Sequence, residues 1–159
     1  MGKLSHLDDT GAARMVDISG KEASKRVAIA AATVLVNAGT LETVRTHAAR
    51  KGDVLGVARV AGITGAKKTP DLIPLCHPIS LTSVEVDFTL DDEPPSIGIR
   101  ARAESTGPTG VEMEAMTAAA IAALTIYDMV KSSDRSAEIR QVSLVYKDGG
   151  KSGVYERRQ

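Results

Sequence analysis

The sequence has very few aromatic side chains. Trp is absent, and Phe, Trp and Tyr together make up 3% of the 159 residues. Proteins that bind single-stranded nucleic acid stack bases on aromatic rings, so this composition argues against that class of function. Hydrophobic residues still make up 43% of the chain, which predicts a core built from Ala, Val, Ile and Leu.

Other scarcities narrow the class of protein. Twenty basic residues balance twenty acidic ones, so no net charge draws the chain to nucleic acid or to an anionic membrane. Cys76 is the only cysteine, which excludes an intrachain disulfide and fits a reducing compartment. No apolar run reaches the ~18 residues of a membrane span, and the polar start does not resemble a signal peptide. We therefore expect one cytoplasmic domain, residues 1–159, with no nucleic-acid or membrane partner.

The most unusual stretch covers residues 110–131, GVEMEAMTAAAIAALTIYDMVK. Between Ala115 and Ile126 only two threonines are polar, and alanine and leucine are good helix formers. These residues predict a helix that is apolar on every side. Such a helix needs cover all round, from a sheet and from other elements, including a second subunit if one chain does not suffice.

Charged residues lie only at the two ends of this predicted helix. Glu112 and Glu114 fall in the first turn, where negative charge suits the helix dipole, whereas Asp128 in the last turn opposes it. Lys131 lies one turn after Asp128 and compensates for it. This pair is either an ion pair that closes the helix or a proton-transferring pair, and residue types alone favour the first.

The remaining elements predict an α+β fold. Alternating apolar and polar residues predict two strands joined by a DDEPPS hairpin loop, and β-branched residues predict an earlier strand. Thr40 is expected to cap a first helix and Asp53 a second one. The order of these elements predicts a ferredoxin-like fold, an antiparallel sheet with helices on one face. The predicted strands are 26–36, 83–90, 97–103 and 139–146, and the predicted helices are 40–50, 53–68 and 110–131. In the last strand, Val142, Leu144 and Tyr146 are expected to share one side. The termini are predicted to be a flexible arm (1–20) and a basic Gly-rich tail (148–159).

The second unusual segment is DLIPLCHPIS, residues 71–80, where two prolines four positions apart predict an extended backbone. His77 lies on this irregular backbone, where binding groups are common. A zinc site is disfavoured, because Cys76 has no partner at metal-binding spacing. A cysteine nucleophile is disfavoured too, since the apolar Pro74 and Leu75 would raise the thiol pKa.

Basic residues occur in short groups rather than in one continuous stripe. Lys51 directly precedes the helix start at Asp53, and free N–H groups at such a start attract anions. Scattered cations of this kind suit a small molecule that carries phosphate, whereas a duplex needs a continuous basic surface. No Walker A or dinucleotide fingerprint is present.

Several motifs occur together in one order between about Leu4 and Arg158. They are KGDVL, ARVAGI, AKKTPDLIPLCHP, TGVEMEAMTA, YDMVK and KDGGKSG. Together they closely resemble the molybdenum cofactor biosynthesis protein C family, the cyclic pyranopterin monophosphate synthases. The resemblance implies a lyase that converts (8S)-3′,8-cyclo-7,8-dihydroguanosine 5′-triphosphate to cyclic pyranopterin monophosphate and releases pyrophosphate, with no metal or redox cofactor. It also implies a homohexamer, a trimer of dimers, with each active site shared between two subunits.

The resemblance also implies roles for individual residues. Lys51, Asp128 and Lys131 form the implied catalytic set. The implied substrate contacts are Leu75, Cys76, His77, Glu112, Met113 and Glu114, and the candidates for triphosphate binding are Lys67, Lys21 and Arg26. A lysine acts as a base only where its surroundings lower its pKa, so a buried cationic pocket is expected around Lys51 or Lys131.

A second hypothesis from another class is a non-catalytic ferredoxin-like module that binds a nucleotide or RNA for regulation. The low aromatic content and the zero net charge argue against it, as does the placement of Asp128 and Lys131.

Overall fold

The computed structural model describes residues 6–158. Within that range the strands form an antiparallel sheet in the order β2-β3-β1-β4-β5. This arrangement, with helices packed on the sheet, confirms the α+β class. The elements are β1 Ser24–Leu35, α1 Ala38–Arg45, α2 Val54–Lys67, α3 Thr69–Leu72, β2 Leu81–Asp92, β3 Pro95–Gly107, α4 Glu112–Val130, β4 Glu138–Asp148 and β5 Tyr155–Glu156.

Small side chains dominate the contact between the sheet and its helices. On the two central strands, Ala28 lies opposite Ala103 and Ala30 lies opposite Ala101, and all four are fully buried. The helix α4 meets this surface with alanines of its own, which are equally buried. The core is therefore built mainly from Ala, Val, Ile and Leu, as the composition predicts.

The helix α2 packs against α4 through glycine. Asp53 caps α2 by accepting a hydrogen bond from the Gly56 backbone N–H at 2.9 Å, which confirms the predicted start. Further along, a Cβ atom added at Gly65 would lie 2.8 Å from the Cγ1 atom of Ile121 on α4. Close packing, rather than helix propensity, accounts for this glycine.

The cover of α4 is incomplete in one chain. Its alanines at positions 115, 118, 119, 122 and 123 are fully buried, yet Leu124 is 55% exposed. One chain therefore does not cover the helix on every side, and the prediction that a second subunit covers the rest stays a prediction. By length and composition the helix could also span a membrane, but more than half of it is buried inside the fold.

Two helical boundaries differ from the sequence prediction. Asn37, rather than Thr40, caps α1, because its side chain accepts a hydrogen bond from the Thr40 backbone N–H at 2.8 Å. The helix ends at Arg45 instead of near residue 50. A short helix, α3, occupies the start of the segment predicted to be extended. Pro70 lies in its first turn, where backbone N–H groups have no acceptor within the helix, so the missing N–H of proline costs no hydrogen bond.

The chain termini are only partly as predicted. The strand β5 pairs with Tyr146 and Lys147 of β4, so the basic tail contains an ordered strand. Residues 6–20 contain an isolated bridge between Leu7 and Ala13 and no helix or extended strand. Residues 1–5 of the predicted arm and residue 159 of the tail lie outside the described residues.

The strand β4 carries two extra residues relative to β1, one between the partners of Ala31 and Thr33 and one between the partners of Ile29 and Ala30. Leu144 lies opposite Ala30, but Tyr146, not Val145, lies opposite Ile29. Beyond this bulge the alternation changes phase. Tyr146 therefore faces the open side of the sheet, contrary to the prediction from simple alternation, and Lys147 faces the helices.

We expect Gly65→Ala to destabilise the protein although alanine is the better helix former. The added Cβ must displace Ile121, and overpacking of this kind costs about 1–3 kcal/mol. Urea unfolding at a fixed protein concentration measures the change. Thr64→Ala is the matched control, because Thr64 is exposed and such substitutions usually change stability by less than about 0.5 kcal/mol. An unchanged midpoint for Gly65→Ala would show that the α2–α4 contact is looser than described.

Candidate active site

A lysine cluster surrounds the carboxyl group of Asp128 at the C-terminal end of α4. The Lys51 Nζ atom lies 2.9 Å from Asp128 Oδ2 and donates a second hydrogen bond, 2.7 Å long, to the Asp128 backbone oxygen. The Lys131 Nζ atom lies 2.6 Å from Asp128 Oδ1. The loop between α1 and α2 carries Lys51 to this position, so the structure brings together the three residues of the implied catalytic set.

The electrostatics of the lysine cluster are those of an exposed ion-pair network. Hydrogen bonds from Lys131 and Lys51 lower the pKa of Asp128 to about 2. The same contact with Asp128 raises the pKa of Lys131. All three side chains are about half exposed. The expected buried pocket with a lowered lysine pKa is therefore not formed around Lys131 by this chain alone.

A pocket of about 230 Å³ lies at the opposite end of α4 and is called the N-terminal pocket here. The backbone N–H of Cys76 donates to the Ile73 carbonyl at 3.1 Å, in the turn that leads from α3 to the pocket. All six implied substrate contacts meet at this pocket. Its lining comprises His6, Leu75, Cys76, His77, Ile79, Thr109, Gly110, Glu112, Met113 and Glu114.

Burial controls ionisation in the N-terminal pocket. Glu114 is 2% exposed, and desolvation, reinforced by the negative charge of Glu112, raises its pKa to about 7. Burial, together with the nearby Glu114, raises the pKa of the Cys76 thiol. The thiol is therefore protonated at neutral pH, which agrees with the prediction that Cys76 is no nucleophile.

Lys147 is a charged neighbour of the pocket that the sequence did not single out. Its Nζ atom lies 2.9 Å from Glu112 Oε1 and 3.0 Å from Ser152 Oγ. The bulge in β4 turns Lys147 toward α4, and the following Gly149 and Gly150 adopt positive φ angles. The KDGGKSG motif was the available signal, but the motif alone assigns no role to Lys147.

The three triphosphate candidates lie outside both groups. Lys21 precedes β1 and is exposed, and Lys67 is exposed at the end of α2. Arg26 donates hydrogen bonds to the carbonyl oxygens of Gly107 (3.2 Å) and Pro108 (3.3 Å). Arg26 thus supports the loop that leads into α4, and triphosphate binding by these residues stays a prediction.

One chain keeps the lysine cluster and the N-terminal pocket apart. Each residue of an α-helix adds about 1.5 Å, so Glu114 and Asp128 are separated by about 20 Å along α4. In residues 6–158 no three metal-ligating side chains come together. The fold and the two groups define an α+β protein equipped for acid–base chemistry and for binding an anion.

Comparisons with known proteins identify the family. The family model described as the MoaC family matches residues 15–150. A cyclic pyranopterin monophosphate synthase of Pelotomaculum thermopropionicum is 55% identical over 99% of this chain and 93% of its own length. Synthases of the same name from Dinoroseobacter shibae (53% identical over 98% of this chain and 99% of their protein) and Heliobacterium modesticaldum (52%, over the full length of both) are similar as well. The chain belongs to the MoaC family.

We expect the Asp128 carboxyl to titrate far below an ordinary aspartate. Its pKa is lowered from 3.8 to about 2, so the ion pairs exist at neutral pH and are lost as the pH falls through that range. Carbon-13 NMR of labelled aspartate carboxyls measures the midpoint. Lys131→Met should raise it toward 3.8, whereas Lys68→Met, on an exposed lysine that pairs with Asp71, should leave it unchanged. A wild-type midpoint near 3.8 would contradict the cluster.

Proposed function

We propose that this chain converts (8S)-3′,8-cyclo-7,8-dihydroguanosine 5′-triphosphate to cyclic pyranopterin monophosphate and releases pyrophosphate, as the names of its relatives suggest. The observation that carries the proposal is the meeting of Lys51, Asp128 and Lys131 at the end of α4, in a chain with full-length relatives that are synthases. The same relatives disfavour a non-catalytic regulatory module. A cytoplasmic location stays a prediction.

The two groups suit different parts of this substrate. The rearrangement opens a purine ring, moves protons and expels pyrophosphate, so it needs acids, bases and cations. Of Lys51 and Lys131, one supplies positive charge for the phosphate groups and the other acts as the base. Asp128 either orients Lys131 or relays a proton to it. The N-terminal pocket, with apolar Leu75 and Met113 beside Glu114, accommodates the base.

We also propose that each active site combines the lysine cluster of one subunit with the N-terminal pocket of another. The separation of about 20 Å along α4 supports this, since a single nucleotide must contact both groups. Two surfaces are available for assembly. One is the outer helical surface with exposed Val57, Val60 and Leu124, and the other is a wide concavity of about 960 Å³ on the open face of the sheet, whose lining includes none of the predicted site residues.

The proposed assembly is a homohexamer of ferredoxin-like subunits, arranged as a trimer of dimers. The strand order β2-β3-β1-β4 supports the ferredoxin-like arrangement. If a neighbouring subunit excluded water from Lys131, desolvation would lower the pKa of Lys131 and so act against the rise that Asp128 causes. A neighbouring subunit would thereby provide the conditions that a basic lysine needs.

The first test supplies the cyclised nucleotide and measures pyrophosphate. Lys51→Ala, Asp128→Ala and Lys131→Ala should each lower turnover by about 100-fold or more, since positioned acids and bases contribute that much. Lys68→Ala is the matched control and should keep wild-type turnover. A wild-type protein that binds the nucleotide without releasing pyrophosphate, or three variants with full turnover, would exclude the proposed activity.

The second test asks whether two subunits share each site. Lys131→Ala subunits are co-expressed with His77→Ala subunits, so that random pairing makes half of the dimers mixed. Each mixed dimer then contains one intact site, and we expect about a quarter of wild-type activity from two inactive parents, given an isologous interface. A mixture of Lys131→Ala with Asp128→Ala, both altered at the same end, is the control and should stay inactive. No recovery in the first mixture would place each site within one chain.

A further inference from the structure

Asp134, in the loop that follows α4, is a buried carboxyl group with uncharged partners. The residue is 3% exposed. Its Oδ2 atom accepts a hydrogen bond from the Asn37 backbone N–H at 2.7 Å. Its Oδ1 atom accepts two from Ser136, one from the backbone N–H at 3.1 Å and one from the hydroxyl at 2.6 Å. A buried charge is costly unless such donors surround it, so Asp134 is tolerated only while both segments stay in place.

The surroundings of Asp134 keep it ionised. Burial opposes ionisation, but hydrogen bonds from Ser136 and Asn37 outweigh burial and lower the pKa of Asp134. Asn37 is also the cap of α1, and a negative charge at that end of a helix suits the helix dipole. Hydrogen bonds to an ionised acceptor are stronger than those between neutral groups. Asp134 therefore holds Asn37 firmly.

Through Asp134, the end of α4 is joined to the start of α1. Lys131 lies three residues before Asp134, and the Asp134 backbone N–H donates to the Val130 carbonyl of α4 at 2.9 Å. The Tyr127 hydroxyl donates to the Arg135 carbonyl at 3.4 Å, which ties the same loop to α4 again. The loop is thus fixed to α4 by its own backbone and to α1 by the Asp134 side chain.

The helix α1 in turn fixes the loop that carries Lys51. The backbone N–H groups of Thr46 and Ala48, beyond the end of α1, donate to carbonyl groups within the helix at 2.9 and 3.0 Å. The Gly52 N–H donates to the Ala49 carbonyl at 2.9 Å and closes the turn around Lys51. A displacement of α1 would therefore be passed on to Lys51, whose Nζ atom bonds to Asp128 on α4.

We propose that Asp134 is a positioning residue for the lysine cluster: by holding Asn37 and Ser136 it fixes α1 against the end of α4, and thereby holds Lys51 against Asp128. All of these contacts lie within one chain, so the role does not depend on how subunits assemble. The inference deepens the proposed function and rests on it only for the effect on turnover.

The test is carbon-13 NMR titration of the Asp128 carboxyl in the assembled protein. Lys51→Met defines how far the midpoint rises when Lys51 is lost. Asp134→Asn should give about half of that rise or more, and the double variant should rise no further than Lys51→Met alone. The physical reason is that an amide replaces only one of the two accepting oxygens, so Asn37 or Ser136 loses its acceptor.

The direction of the shift separates geometry from charge. Removal of the negative charge of Asp134 by itself would lower the pKa of a neighbouring carboxyl, whereas loss of Lys51 raises it. Ile99→Val is the matched control, because it truncates a buried side chain of β3 away from this path. It should lower the urea unfolding midpoint and leave the Asp128 titration unchanged.

An Asp128 midpoint in Asp134→Asn that is unchanged or lower would overturn the proposal, and so would the same rise in Ile99→Val. If Asp134→Asn does not fold, two variants of Asn37 provide the measurement. Its φ of −77° is compatible with proline. Asn37→Ala removes only the cap, whereas Asn37→Pro also removes the N–H that Asp134 binds, so the proline variant should have the higher Asp128 midpoint. Equal midpoints in these two variants would overturn the proposal as well.

Turnover gives a second measurement under the proposed function. Asp134→Asn should lower pyrophosphate release by about 10-fold or more, since misplacing a catalytic group by about 1 Å costs up to about 100-fold. In a Lys51→Ala background it should cause no further loss. A raised Asp128 midpoint in a protein that makes no pyrophosphate from the cyclised nucleotide would remove the proposed activity and leave the role of Asp134 intact. Normal wild-type turnover with an unmoved midpoint in Asp134→Asn would do the reverse.

Discussion

The contact between the alanines of α4 and the alanines of β1 and β3 sets how closely the helices pack on the sheet. Side chains of this size let the helix lie close to the sheet, and the glycines of α2 let a second helix lie close to the first. A core so short of large side chains depends on contact area rather than on individual anchors. The ends of α4 are consequently held at fixed positions.

Those ends carry opposite chemistry. One end is exposed and holds two lysines on either side of Asp128, and the other encloses a carboxyl group from which water is largely excluded. A phosphorylated base has the same division, with charge at one end and a flat ring at the other. Under the proposed function, a chain of zero net charge still holds two local sites of opposite character, which a second copy brings together.

Local patterns in the sequence predicted most of the fold. Alternation located β2 and β3, and the cap at Asp53 located α2, because these signals depend on neighbouring residues only. Residue types and motifs also selected the side chains that meet at each end of α4. The exposed Leu124, the bulge in β4 and the role of Lys147 were beyond prediction, since each depends on which distant segment packs alongside. Alternation assumes an uninterrupted strand, and Val145 interrupts this one.

The extra residue Val145 in β4 makes the length of the segment between Leu144 and Lys147 part of the chemistry. If Val145 were deleted, every charged side chain would remain, yet Lys147 would rotate to the outer surface and Glu112 would lose its counter-ion. Two like carboxyl groups would then share one helical turn. Among related sequences, the number of residues between Leu144 and the paired glycines is therefore as diagnostic of an intact pocket as the identity of Glu112 or Glu114.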